Sequence, residues 1–296
     1  MDGPGACEDY RRNRGGGTEE IMNARVLAVA NQKGGVGKTT TTLNLGVALA
    51  ASGSRVLLVD LDHQASLTMA AGLGDPDSLP VTVADLLAAV IDRREPDYGN
   101  AVLRCGEGVD VIPSSVALAT VDMLMATVTV ARERILSRML EPLLGSYDVV
   151  LLDCAPALNM VTVNDLVAAD GVIVPIAPQY LSFKGLDMLL GTIRDARAAN
   201  PGLATLGVLV TMREKRRLAQ GEIEDALRAQ LPGDMPVFSV TVPRSVKAEE
   251  APGHGMSLLS YDPEGPVARA YTALAGVVRE RCTMLGMPLG CGKESE

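Results

Sequence analysis

Tryptophan is absent, phenylalanine occurs twice, and aromatic side chains make up 3% of the chain. Any core must therefore be assembled from Val, Leu, Ala, Ile and Met. A 47% hydrophobic content over 296 residues suits one large α/β domain. Histidine occurs only twice, and the five cysteines (Cys7, Cys105, Cys154, Cys282 and Cys291) are scattered and include no C-x-x-C pair. That usage argues against a disulfide scaffold and against a zinc site, and it fits a reducing compartment. No apolar run approaches the ~20 residues of a membrane span. Acids outnumber bases 36 to 27, a net charge of −9. This argues against a generally basic nucleic-acid coat but leaves room for a local basic patch.

What the chain does contain is a phosphate cradle. The apolar run Val26-Leu27-Ala28-Val29-Ala30 empties into Asn31-Gln32-Lys33-Gly34-Gly35-Val36-Gly37-Lys38-Thr39-Thr40. Glycines allow successive backbone N–H groups to approach and face phosphate oxygens. A helix starting near Lys38 adds its positive dipole end. Lys38 is placed to neutralise β- and γ-phosphates, and the Thr39 hydroxyl to ligate Mg²⁺. The pattern Gly-x-x-x-x-Gly-Lys-[Ser/Thr] fails at its first position, Gln32, and a second lysine, Lys33, precedes the glycine pair.

The remainder alternates between strand and helix. Strands are expected at 55–60, 109–113, 148–153, 171–175, 206–210 and 237–242. Helices are expected at 40–52, 83–90, 131–144, 186–199, 222–231 and 266–284. Near-continuous apolar strands separated by helices predict a doubly wound, mostly parallel sheet with helices on both faces, in a single P-loop NTPase domain spanning 23–286. Residues 1–22, with Arg11-Arg12-Asn13-Arg14 and Gly15-Gly16-Gly17, read as a disordered N-terminal arm. They lack the apolar stretch of a secretion signal. Residues 287–296 read as a flexible tail.

Ligands of such sheets sit at the carboxyl ends of the strands. The second strand ends Asp60-Leu61-Asp62-His63-Gln64, placing two acids where Mg²⁺ and an attacking water belong. Another ends Val149-Val150-Leu151-Leu152-Asp153-Cys154-Ala155-Pro156, a Walker B pattern whose carboxylate holds Mg²⁺ through a water. Alone, either acid could simply cap the next helix.

With Lys33-Gly34-Gly35-Val36-Gly37-Lys38-Thr39, these segments resemble the deviant Walker A ATPases of the ParA/MinD family, and most closely its small Soj-like partition members. The likeness extends through Ala168–Pro175, Val242-Pro243-Arg244, Glu249–Gly255 and Tyr261-Asp262. It implies an ATPase with ATP and Mg²⁺ as cofactors. It further implies that Lys33 reaches the nucleotide of a dimer partner, that Asp62 orients the hydrolytic water, and that Met212 and Pro243 lie near the adenine. Two departures stand out: His63 occupies a usual proline position, loosening the loop after Asp62, and Ala155 replaces another.

The tail has Pro and Gly breakers and more acid than base, unlike a basic amphipathic membrane anchor. Arg213, Lys215, Arg216 and Arg217 follow one strand, and Arg244 and Lys247 follow the last. Phosphate-backbone binding needs only such groups. The resemblance therefore implies an ATP-dependent homodimer that binds double-stranded DNA without sequence preference. It implies a cytoplasmic, nucleoid-associated protein that serves segregation with a ParB-like activator and has no membrane role. An ATP-binding adaptor or replication regulator is the alternative.

Overall fold

Eight strands form one sheet in the order β3-β4-β2-β5-β1-β6-β7-β8 in a computed structural model that describes residues 23–157, 159–178, 182–214, 229, 231 and 233–290. The strands are β1 (Arg25–Val29), β2 (Val56–Leu61), β3 (Leu103–Arg104), β4 (Asp110–Ile112), β5 (Val149–Cys154), β6 (Gly171–Ile176), β7 (Ala204–Arg213) and β8 (Val237–Pro243). All pairings are parallel except β3 with β4. The doubly wound sheet anticipated from the apolar runs is therefore present, extended by a short antiparallel edge.

Successive residues of a strand face opposite sides, and here both sides are buried. Val26 and Ala28 of β1, Leu57, Val59 and Leu61 of β2, and Val150 and Leu152 of β5 join one apolar cluster. Helices α3 (Val83–Ile91), α4 (Leu118–Thr127), α5 (Ile135–Leu140), α6 (Met160–Ala168) and α7 (Ser182–Ala199) cover that face. Leu27, Val56, Leu58, Val149 and Leu151 join a second cluster, covered by α1 (Lys38–Ala51), α2 (Ser66–Ala70) and α8 (Pro266–Met284). Two covered faces are why these strands read as unbroken apolar runs.

Three local expectations differ from the structure. A helix over 131–144 is reduced to α5, because Ala131 takes a left-handed φ of 52° and a 3₁₀ turn follows at Arg132–Arg134. Asn164 of α6 then caps the shortened helix, accepting the Leu136 N–H at 3.1 Å while donating to the Arg132 carbonyl at 2.9 Å. Helices α4 and α6 were not expected: α4 buries only Leu118, Val121 and Met125 and leaves Met123 and Leu124 exposed, and α6 buries the polar Thr162, Asn164 and Asp165 among its apolar residues. The chain also stays packed past residue 286. Met287 and Leu289 are buried, and the Gly290 carbonyl accepts the Ser54 hydroxyl at 2.8 Å. The arm at 1–22, residues 291–296 and most of the helix expected at 222–231 lie outside the described residues.

Two loops meet backbone to backbone beside the carboxyl edge of the sheet. Gly72, just after α2, has φ 75°, and Gly255, after the 3₁₀ turn Ala251–His254, has φ 63°. A Cβ on Gly255 would lie 2.6 Å from the Gly72 Cα, and one on Gly72 would lie 2.8 Å from the Gly255 oxygen. Left-handed φ and lack of space both require glycine here. Gly255→Ala should cost about 1–3 kcal/mol of folding free energy. Urea denaturation checks this, and an unchanged midpoint would contradict the close approach.

Candidate nucleotide site

The loop after β1 is built on its own backbone. Asn31 donates its side-chain amide to the Pro175 carbonyl at 2.7 Å and accepts the Lys33 N–H at 2.9 Å, fixing the exit from the strand. Gln32, which stands where a glycine was expected, donates to the Thr192 hydroxyl of α7 at 3.3 Å. Gly34 and Gly35 are exposed, with nothing within 4 Å of a would-be Cβ. Val36 is buried, and Gly37, at φ 85°, precedes α1. Lys38 is buried at the first position of α1 and donates back across the loop to the Lys33 carbonyl at 3.4 Å. Lys33, Gly34, Gly35, Val36, Gly37, Lys38, Thr39 and Thr40 thus form one continuous turn capped by the start of a helix.

The acids arrive by strand register. β2 and β5 pair Asp60 with Asp153, and β1 pairs Val29 with Asp153, so two carboxyls and the entry to the loop lie at one level. Asp153 accepts the Thr39 hydroxyl at 2.7 Å and the Thr42 hydroxyl at 3.2 Å. Thr39 and Thr42 are three residues apart and therefore share a helix face; the run of four threonines was the signal for Thr42, which sequence reasoning passed over. Burial, with the neighbouring Asp60 adding to it, pushes the Asp153 carboxyl up to about 8. Burial also pushes Asp60 up to about 6 and lowers the Lys38 amine. Two buried acids opposed by one amine make a donor set that fits a divalent cation. No cage of three or more His, Cys, Asp or Glu exists among the described residues. Mg²⁺ keeps waters and substrate phosphates in its shell and needs few protein ligands. Thr39 and Asp153 would hold it.

Asp60 and Asp62, alike in the sequence, take different parts. Asp60 is fully buried and accepts the Thr68 N–H at 2.8 Å, the Thr68 hydroxyl at 2.7 Å and the Asp62 N–H at 3.2 Å. It builds the turn. Asp62 sits beyond the strand end, partly exposed, with the Gln64 N–H on one oxygen at 3.0 Å and His63 Nδ1 3.6 Å away.

A cleft of about 340 Å³ opens beside the loop, lined by Gly37 and Thr40 of the phosphate turn and by Met212, Pro243, Arg244 and Tyr271. Met212 and Pro243, assigned to the adenine, thus share one cavity with the phosphate loop. Met212 has a left-handed φ of 54°, unusual outside glycine. Tyr271, fully buried and within 3.1 Å of the Thr41 hydroxyl, had no signal in the sequence.

The basic residues are spread more widely. Arg213 and Arg244 are adjacent, the Arg244 N–H donating to the Arg213 carbonyl at 3.1 Å. Arg244 is ion-paired with Glu214 at 3.3 Å and Glu249 at 3.8 Å, and Lys247 with Asp262 at 2.7 Å. Lys215, Arg216 and Arg217 lie outside the described residues.

Replacing Lys38 by Ala should weaken nucleotide binding by about 2–4 kcal/mol, the scale of a charged hydrogen-bond partner lost from a buried site. Titration with a fluorescent ATP analogue measures it, and unchanged affinity would remove Lys38 from the site.

Comparison with known proteins agrees with this geometry. The AAA domain family matches residues 24–205. The chromosome partitioning protein ParA of Caulobacter vibrioides is 40% identical over 263 residues, covering 87% of this chain and 94% of that protein. The chromosome-partitioning ATPase Soj of Thermus thermophilus is 41% identical over 265 residues, covering 88% and 98%. Among solved structures, a Mycobacterium smegmatis protein named cobyrinic acid a,c-diamide synthase, with an ATP analogue and magnesium bound, superposes with a TM-score of 0.75 at 36% identity. It covers 90% of this chain and 99% of that one. No helix among the described residues is long and apolar enough to cross a membrane. The glycine-lysine turn, the paired acids, the cleft beside them and these relatives converge: the chain belongs to the ParA/Soj family of deviant Walker A ATPases.

Proposed function

We propose that the chain is a Mg²⁺-ATP-driven switch that dimerises on ATP, binds DNA without sequence preference, and is released by hydrolysis. Its task in this reading is the partition of a chromosome, plasmid or integrative element with a ParB-like partner, in the cytoplasm at the nucleoid. The observation that carries it is the Lys33–Thr39 turn standing over Asp153 with Asp62 at the same sheet edge. When bound, Mg²⁺ supplies charge neutralisation at the phosphates. Lys38, Thr39 and the loop N–H groups bind and orient those phosphates, and Asp153 fixes the Thr39 hydroxyl. Asp62, held by the Asp60 turn, orients a water and takes up its proton.

Lys33 is half-buried and directly precedes the exposed Gly34 and Gly35. Lys38 already crosses the loop from inside, so the second lysine is suited to a partner's nucleotide. Two of the relatives carry partition names. The ion pairs on Arg244 and Lys247 do not oppose a DNA role. Exposed pairs contribute about 1 kcal/mol or less, and DNA phosphates can replace the acids.

The adaptor reading keeps one point in its favour: acids Glu214, Glu249 and Asp262 stand beside the candidate DNA contacts. Retention on random duplex separates the two. The partition reading expects retention with ATP, little with ADP, and a steep fall with salt. It expects loss when Arg216 and Arg244 become Glu while ATP binding is kept. Retention equal with ADP, or indifferent to salt, favours the adaptor.

Two single variants test the switch. Asp62→Asn keeps the acceptor for the Gln64 N–H but cannot take a proton. It should bind ATP and persist as a dimer in size-exclusion chromatography while steady-state hydrolysis falls at least about a hundredfold. Lys33→Ala should keep nucleotide affinity and lose ATP-dependent dimerisation and hydrolysis together. A Lys33→Ala protein that turns over ATP at the normal rate would refute the lysine acting across a dimer.

A further inference from the structure

We infer that Thr211 is a positioning residue for the phosphate loop, aiming the Gly37 N–H at the nucleotide. Thr211 lies on β7, is 2% exposed, and donates its hydroxyl to the Val36 carbonyl at 2.8 Å. Its Cγ2 and Cβ stand 3.8 and 3.9 Å from where a Gly37 Cβ would be, so the side chain abuts the turn immediately before α1. The inference rests on the nucleotide reading of this site.

The reason is peptide geometry. In a trans peptide the C=O and the N–H of one unit point in opposite directions. Holding the Val36 carbonyl on β7 therefore turns the Gly37 N–H away from β7. No acceptor among the described residues meets that N–H or those of Gly34 and Gly35. The rest of the turn is held in the same manner: Asn31 fixes the Lys33 N–H, and Lys38 fixes the Lys33 carbonyl. The 36–37 peptide is secured from a distant strand, by a residue 175 positions along the chain.

Glycine at φ 85° can rotate with little steric penalty. Without an anchor, the 36–37 peptide could present its carbonyl oxygen to the phosphates instead. A carbonyl facing a phosphate replaces attraction by repulsion. The same strand continues into Met212, which lines the adenine-side cleft. One rigid segment thus sets both the phosphate turn and the base cavity.

Isothermal titration with ADP on the full chain tests this, using Thr211→Val, which keeps the branched shape but loses the donor, and Thr211→Ser, which keeps the donor. Melting without nucleotide is recorded for each, and binding is measured well below the melting transition. Thr211→Val should bind ADP about tenfold more weakly, the scale of one hydrogen bond to a charged group. Thr211→Ser should lie within about threefold of the parent. Parent-like binding by Thr211→Val would overturn the inference. So would equal weakening in Thr211→Ser, which would make methyl packing the cause. A parent protein that fails to bind ADP would instead bring down the nucleotide reading, and this inference with it.

Discussion

Asp153 takes a carboxyl group into the interior at the end of a central strand, and the site is organised around that cost. Removing a carboxylate from water is unfavourable unless hydrogen bonds and a counter-charge replace the lost hydration. Thr39 and Thr42 supply two of those bonds from the first two turns of α1. That ties the helix to the strand and fixes where the phosphate loop ends. Asp60, its neighbour across the ladder, adds a second buried acid and makes the charge imbalance worse. Lys38 offsets part of it. A bound cation would offset the remainder.

Contiguous features were legible in the sequence, and features made by folding were not. The strand, glycines and lysines of the phosphate loop adjoin one another, and the structure keeps them together as one turn. The sheet was legible because both of its faces are covered, which leaves apolar runs with few interruptions. Spacing alone could not separate Asp60 from Asp62, which only the family resemblance told apart; in the structure Asp60 is buried within β2 and Asp62 lies just past its end. The 131–144 segment looked like one helix because its apolar spacing continues through residues whose backbone is turned by Asn164, a contact 28 residues away. Helix α4 escaped notice because its exposed Met123 and Leu124 blur the period on which such readings depend. Thr211 and Tyr271 had no pattern at all; each matters through a partner far along the chain.

Met212 and Pro243 both line the cavity beside Gly37 and Thr40. The basic residues fared differently. Sequence placed Arg244 and Lys247 on a loop; Arg244 is on one, whereas Lys247 opens the short helix Lys247–Glu250, and a charge count along the chain cannot show that Glu214, Glu249 and Asp262 fold back onto them. Local electrostatics is a property of neighbours in space, and the acids supplying it come from three separate segments.

The ends of the described chain share one pole. Ala24 and Arg25 donate their N–H groups to the Leu144 and Asp148 carbonyls, while Gly290 rests on Ser54 and beside Asp148. These contacts lie at the amino ends of parallel strands, and the phosphate loop and acids lie at the carboxyl ends. Chain leaving at residue 23 or 290 therefore sets out from the far side of the molecule. A label on the exposed Asn23 would therefore sit at the pole opposite a bound nucleotide and leave the phosphate loop clear.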